Sequence, residues 1–378
     1  MSTALKDETL HACLRLASLK GLNNTHKNSL LAHYHQPEAI FSASLDDIKS
    51  VLLLTSHKIR TAFCEPDEQR LTDQTALLKS HQINILLNNA ADYPEQLKQI
   101  DDAPPVLFTR GNTDLLSGPQ LAMVGSRNAS PSGIKTAEAF AKDFAKSGLT
   151  ITSGLALGID AAAHLGALNE IGGTIAVVAT GLDEVYPRRN LALAKAIVDK
   201  GLMISEFPPL TAALRGHFPR RNRLISGLSM GVLVVEADTR SGSLITARLA
   251  GEQGREIFAI PGSIHLPTSR GCHQLIRQGA KLVETTADVL VEIQPKLEIA
   301  LKAHTKEQAD TKPNTKLSKL NKDAQAVLNL IDFAPTTLDE ISQQSKLNIE
   351  IVSSTLLELE LAGLIAPVSG GQYQRLQA

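Results

Sequence analysis

The stretch AMVGSRNASPSG, residues 122–133, closes an apolar run with glycines, hydroxyls and one arginine, where a strand should hand over to a helix. These residue types suit an oxyanion. Gly125 and Ser126 let the backbone come close to it, and the Arg127 guanidinium can fork onto it. The stretch matches neither G-x-G-x-x-G nor G-x-x-x-x-G-K-[ST], the turns that hold dinucleotides and nucleoside triphosphates. Three further stretches have anion-binding character. Ser153-Gly154 and Gly158 precede a helix whose first-turn N–H groups are donors, as do Ser241-Gly242-Ser243, where two hydroxyls add to them. LRGHFPRRNR places four arginines and a histidine between 215 and 223, among them Arg220, Arg221 and Arg223 around Asn222, just after Phe218. Each stretch alone reads as a tight turn or a solvated face. Together, at one edge of one sheet, they form a phosphate site.

The elements that must position these loops follow from apolar periodicity. From about 82 to 290, short apolar runs (INILL, QLAMVG, LTITSG, TIAVVATG, LMISEF, GVLVVEA, EIFAIPG, KLVE) alternate with helical segments such as IKTAEAFAKDFAKSG and SLITARLAGEQG. This alternation predicts an α/β domain over 81–293, an extended Rossmann-like, doubly wound parallel sheet. Ligands of such sheets bind beyond the carboxyl ends of the strands, where all four stretches fall. Gly148, Gly172, Gly201 and Gly254 are expected as left-handed helix caps. Residues 1–80 read as a helical module of five short helices resembling SAM or helix-hairpin-helix units. Asn23 stands in it where a second hairpin glycine would help a turn approach a phosphate. Residues 294–320 are polar and rich in Lys and Thr, hence a linker. Residues 321–378 read as a winged helix with a Gly-Gly wing hairpin. Its third helical segment carries Glu350, Glu358 and Glu360, with no Lys or Arg from 347 to 374, which favours protein contact or autoregulation over DNA recognition.

Composition limits the function classes. The formal net charge is −1, so any anion site is local. No run of 18 apolar residues is present to span a membrane. Cys13, Cys64 and Cys272 lie far apart, which fits a reducing cytoplasm and neither a disulfide framework nor a metal site. The chain has no Trp, so a broad stacking platform is not expected, although Phe218 or Tyr186 either stacks a base or packs in the core. No carboxylate ends the second strand to hold a ribose, no Walker lysine occurs, and no nucleophile elbow is found, so no cofactor, metal or catalytic apparatus is expected. Asp160 reads either as a helix N-terminal carboxylate or as an orienter of the arginines. His164 reads as packed or at the surface.

The runs MVGSRNAS, TSGLALGIDAAAH, ATGLDEVYPRRN, ISEFPP, FPRRNRLISGLS, VVEADTRSGSLITARLAGEQGREIFAIPG and RGCHQLIRQGAKLV, in this order over roughly 85–290, are similar to the DprA/Smf family of DNA-processing proteins. The resemblance implies a recombination mediator. Such a protein binds single-stranded DNA in a basic pocket, dimerises, loads RecA and protects incoming DNA in natural transformation. It puts Gly125, Ser126, Arg127, Ser153, Gly154, Gly158, Phe218, Arg220, Arg221, Asn222, Arg223, Ser241, Gly242 and Ser243 in the pocket, with Asp160 in support. Leu157 departs from the family, which often has Arg there. The alternative is a Rossmann-like nucleoside-monophosphate hydrolase. Such enzymes carry a P-G-G-x-G-T-x-x-E loop with a working glutamate. The corresponding turn here is TRSGSLITA, with Glu236 on the preceding strand.

Overall fold

The computed structural model describes residues 6–294 and, towards the C-terminus, 327, 328, 330, 331, 336–345, 348, 352, 355, 356, 359, 365–368 and 372–375. The chain divides into two compact units between residues 297 and 298. Residues 295–320 of the expected linker and the three glutamates of the third winged-helix segment lie outside the described residues.

The first unit opens with α1 (Asp7–Ser18), α2 (Asn24–Tyr34), α3 (Pro37–Ser42), α4 (Leu45–Leu52), α5 (Ser56–Ala62) and α6 (Glu68–Ser80). The sixth helix escapes the periodicity reading because half of its buried face is polar: Gln74 and Thr75 lie inward beside Leu71 and Leu78. Gln74 donates to the Pro209 carbonyl (2.7 Å), which satisfies its amide in the interior. The helices share one hydrophobic core with the sheet, in which Leu14, Leu30 and Leu78 meet Phe108, Leu155 and Ile197. Asn23 caps α2 by accepting from the His26 amide (2.9 Å). The first turn of α2 is held against residues 102 and 103 by Asn24 (3.3 Å) and Asn28 (2.9 Å). That turn therefore faces protein.

The sheet follows: β1 (Asn84–Leu87), α7 (Glu95–Lys98), β2 (Val106–Gly111), β3 (Gln120–Val124), α8 (Pro131–Lys146), β4 (Thr150–Ser153), α9 (Ile159–Ala167), β5 (Thr174–Val177), α10 (Leu191–Lys200), β6 (Leu202–Ser205), α11 (His217–Leu228), β7 (Gly231–Val234), α12 (Ser243–Glu252), β8 (Glu256–Ala259), α13 (Arg270–Arg277) and β9 (Lys281–Leu282). The strand order is β1-β2-β6-β5-β4-β3-β7-β8-β9. The seven strands from β6 to β9 run parallel, as the alternation predicts. β1 and β2 are antiparallel additions at one edge. β2 is hidden in the sequence behind Pro104-Pro105, which read as loop punctuation. From β3 the chain winds one way to β6, then returns to β7 on the other side of β3. The switch point, where such sheets bind ligands, lies between β3 and β7. Gly148 and Gly254 take the expected positive φ, whereas Gly172 and Gly201 do not; at both, a Cβ would collide with a neighbouring carbonyl.

The second unit contains β10 (Thr336–Thr337), α14 (Leu338–Ser345), β11 (Ile365–Val368) and β12 (Gln372–Arg375), with sheet order β10-β12-β11. Strands β11 and β12 form the expected antiparallel hairpin. Thr337 and Glu340 make a capping box at the start of α14: the Thr337 amide donates to Glu340 (2.9 Å) and the Glu340 amide to Thr337 Oγ1 (3.3 Å). Val327, Leu328, Ile341, Leu356 and Ile365 belong to a separate small core. Among the described residues, no helix is long and apolar enough to cross a membrane.

Candidate nucleic-acid interface

A cavity of about 470 Å³ opens at the switch point. It is walled by the turn after β3, the start of α9, the first turns of α11 and the loop from β7 into α12. Of the residues singled out in the sequence, Gly125, Ser126, Arg127, Asp160, Phe218, Arg221, Asn222, Ser241, Gly242 and Ser243 line it. Ser153, Gly154, Gly158, Arg220 and Arg223 do not.

The arginine-rich stretch read as a loop is the helix α11, and its geometry sorts the arginines. Arg220 and Arg223 are three residues apart and so share a face. Both turn to Glu206, which follows β6: Arg223 at 2.5 Å and Arg220 at 3.2 Å. Arg223 also pairs with Asp102 (3.3 Å) and is buried, so it is tied into the fold and away from the cavity. Arg220 remains half exposed, over the ring of Phe207. Arg221 points from another face into the interior, where Nη1 donates to the Val177 carbonyl (2.8 Å). Gly154 leaves the space for this guanidinium; a Cβ there would overlap it. Burial pulls Arg221 down to about 10, Asp160 opposes that pull, and Arg127 adds to it.

Asp160 stands in the first turn of α9. Its carboxylate accepts from the Gly154 (3.1 Å) and Ala156 (3.4 Å) amides and lies in the field of Arg221 and Arg127. Burial raises its pKa, and Arg221 and these hydrogen bonds hold part of the rise back. The Gly154 and Ala156 amides before α9 are thus engaged internally. The Ile159 amide likewise bonds to the Ser126 carbonyl (3.2 Å). Ser153 is also internal, its hydroxyl donating to the Met123 carbonyl (2.6 Å). Gly158, at φ 77°, lets α9 abut the Ser126-Arg127 backbone.

The turn after β3 corrects another expectation. The Ser126 amide donates to the Glu236 carbonyl (2.7 Å), and Gly125 is packed against Ile159 and Glu236. The Ser126 amide is thereby engaged, and the open side chain of the turn is that of Arg127. That side chain is exposed, forms no ion pair among the described residues, and lies 5.5 Å from the Phe218 ring centroid. Tyr186 is exposed, and its ring lies 5.7 Å from that of Phe218, which lines the cavity. On the opposite wall Ser241 and Ser243 bond to each other (2.7 Å), and Gly242 stands open at the N-terminus of α12. Arg240 and Asp238, both exposed, complete this wall. They were missed in the sequence, although Arg240 directly precedes the Ser-Gly-Ser stretch. His164 is buried, its Nδ1 2.7 Å from Thr174 Oγ1, and burial lowers it to about 3. Among the described residues, no group of three or more His, Cys, Asp or Glu stands ready for a metal.

A doubly wound sheet with a cavity at its switch point, lined by Arg127, Arg221 and Arg240, defines an α/β protein of the open-sheet class. The family model described as DNA recombination-mediator protein A matches residues 84–294, and that of the DprA winged helix domain matches 311–371. Protein Smf of Escherichia coli is 44% identical over 291 residues, 75% of each chain. DNA processing protein DprA of Streptococcus pneumoniae is 52% identical over 202 residues, 53% of this chain and 71% of that one. The chain belongs to the DprA/Smf family. Among solved structures, DprA from Streptococcus pneumoniae superposes with a TM-score of 0.66 at 39% identity, covering 77% of this chain and 99% of the other. DNA processing protein A from Helicobacter pylori, described for its single-stranded DNA binding mode, gives 0.52 at 31% identity over 57% and 97%.

Proposed function

We propose that the chain binds single-stranded DNA at the switch-point cavity, protects incoming strands and loads RecA onto them in natural transformation and homologous recombination, as a cytoplasmic homodimer. The observation that carries the DNA reading is the convergence of the Arg127, Arg221 and Arg240 side chains on one cavity. An anion between the Arg127 and Arg221 guanidiniums relieves their repulsion. Arg240 and the α12 N-terminus supply further attraction. The groups are phosphate-gripping and the rings are sequence-tolerant stackers, which suits a strand bound without base readout. The names of the DprA relatives and the description of the Helicobacter pylori structure support DNA as the ligand.

The hydrolase alternative needs a glutamate free to act on a nucleotide. Glu236 is engaged at α8 by Ser130, which supports binding without chemistry. Competition gel shifts with single- and double-stranded DNA of one sequence, at two salt concentrations, test the proposal. Preference for the single strand, weakened by salt, is expected, and equal or tighter duplex binding refutes it. Release of adenine from AMP by the purified chain would favour the hydrolase.

A further inference from the structure

The first β–α turn of a doubly wound sheet ordinarily leaves an anion position at the N-terminus of the following helix, where a cofactor phosphate settles. In this chain that helix is α8, sixteen residues long, entered through Ser130 and Pro131. Its N-terminus is filled from within. The Glu236 carboxylate, brought from the neighbouring strand end beyond β7, accepts from the Ser130 amide (2.9 Å) and the Ser130 hydroxyl (2.5 Å). Gly133 faces the same carboxylate, and a Cβ there would overlap it. The backbone of Glu236 is tied to the same turn through the Ser126 amide. Glu236 is buried and lies outside the cavity lining.

We propose that Glu236 is a specificity-determining residue, an internal anion that holds the phosphate position of the first β–α turn and so closes it to nucleotide cofactors. The donors a phosphate needs there are engaged in charge-assisted hydrogen bonds. A second anion beside the carboxylate meets direct repulsion in a poorly solvated place. Anions are thereby left to the other side of the switch point, with Arg127, Arg221, Arg240 and the start of α12. This inference does not depend on whether that cavity holds DNA.

The test removes the carboxylate and offers inorganic phosphate in its place. Glu236→Ala opens the position, whereas Glu236→Gln keeps an acceptor in it. Melting temperatures of the full chain are followed against phosphate, with chloride controls of equal ionic strength. Phosphate at ten times its dissociation constant should raise Glu236→Ala by about 2–4 °C beyond the rise in wild type. Glu236→Gln should track wild type. An Ala variant that responds no more than wild type overturns the proposal. If Glu236→Ala does not fold in chloride, its refolding yield is read with and without phosphate. Recovery in phosphate alone supports the internal anion, and no recovery overturns it. AMP in place of phosphate should act in the same order across the three proteins.

Discussion

Replacing Arg127 by Ala separates a ligand-gripping arginine from a structural one. Arg127 is exposed, forms no ion pair among the described residues and lies across the ring of Phe218. Loss of an exposed cation–π contact costs about 0.5–1 kcal/mol, so the melting temperature should fall by no more than about 4 °C. Loss of a charged hydrogen bond to phosphate costs about 1.5–3 kcal/mol, roughly a 10- to 150-fold weaker affinity for single strands of any sequence. The log–log salt slope should flatten by about 0.7 for each phosphate contact removed. Arg127→Lys should restore part of the affinity, because the charge returns without the fork. Fluorescence anisotropy with labelled oligonucleotides at four or five salt concentrations gives affinity and slope, and a melt on the same preparation gives stability. An unchanged slope, or a large loss of stability with unchanged affinity, would refute the reasoning.

Arg223→Ala should behave in the opposite way. Losing its bonds to buried Glu206 and half-exposed Asp102, with Arg220 still on Glu206, should cost about 1.5–3 kcal/mol in a denaturant titration, with the DNA salt slope of the folded fraction unaltered. Gly154→Ala should expel the Arg221 guanidinium, destabilise by about 1–3 kcal/mol and weaken single-strand binding, both read on one preparation. His164 gives a pH dependence. Its folded pKa of about 3 lies below the ordinary 6.5, so the unfolded chain takes up a proton that the folded chain refuses. Its contribution is intact above pH 6.5 and lost as pH falls, by about 1.4 kcal/mol at pH 5.5. Stability curves of wild type and His164→Asn should diverge by that amount between pH 8 and 5.5, and parallel curves would contradict the burial argument.

The sequence by itself determined the alternation that builds a parallel sheet, the loops at its carboxyl edge and the membership in a DNA-processing family. These are local features: apolar runs of strand length, helices between them and quoted motifs in order. The antiparallel strand β2 and the helix α6 were not legible, because prolines mask the first and buried Gln74 and Thr75 break the apolar stripe of the second. The division of labour among the arginines was decided only in three dimensions. Residues 220, 221 and 223 are adjacent in the sequence, but a helix turns each residue about 100° from the last. Arg220 and Arg223 are therefore carried to Glu206 at the end of β6, and Arg221 to the cavity beside Asp160. Glu236 makes the same point across 106 residues: its bond to Ser130 exists because β7 returns to lie beside β3. Charges in a sequence give the number of cations available to a ligand, and the strand order decides which of them the fold has already neutralised.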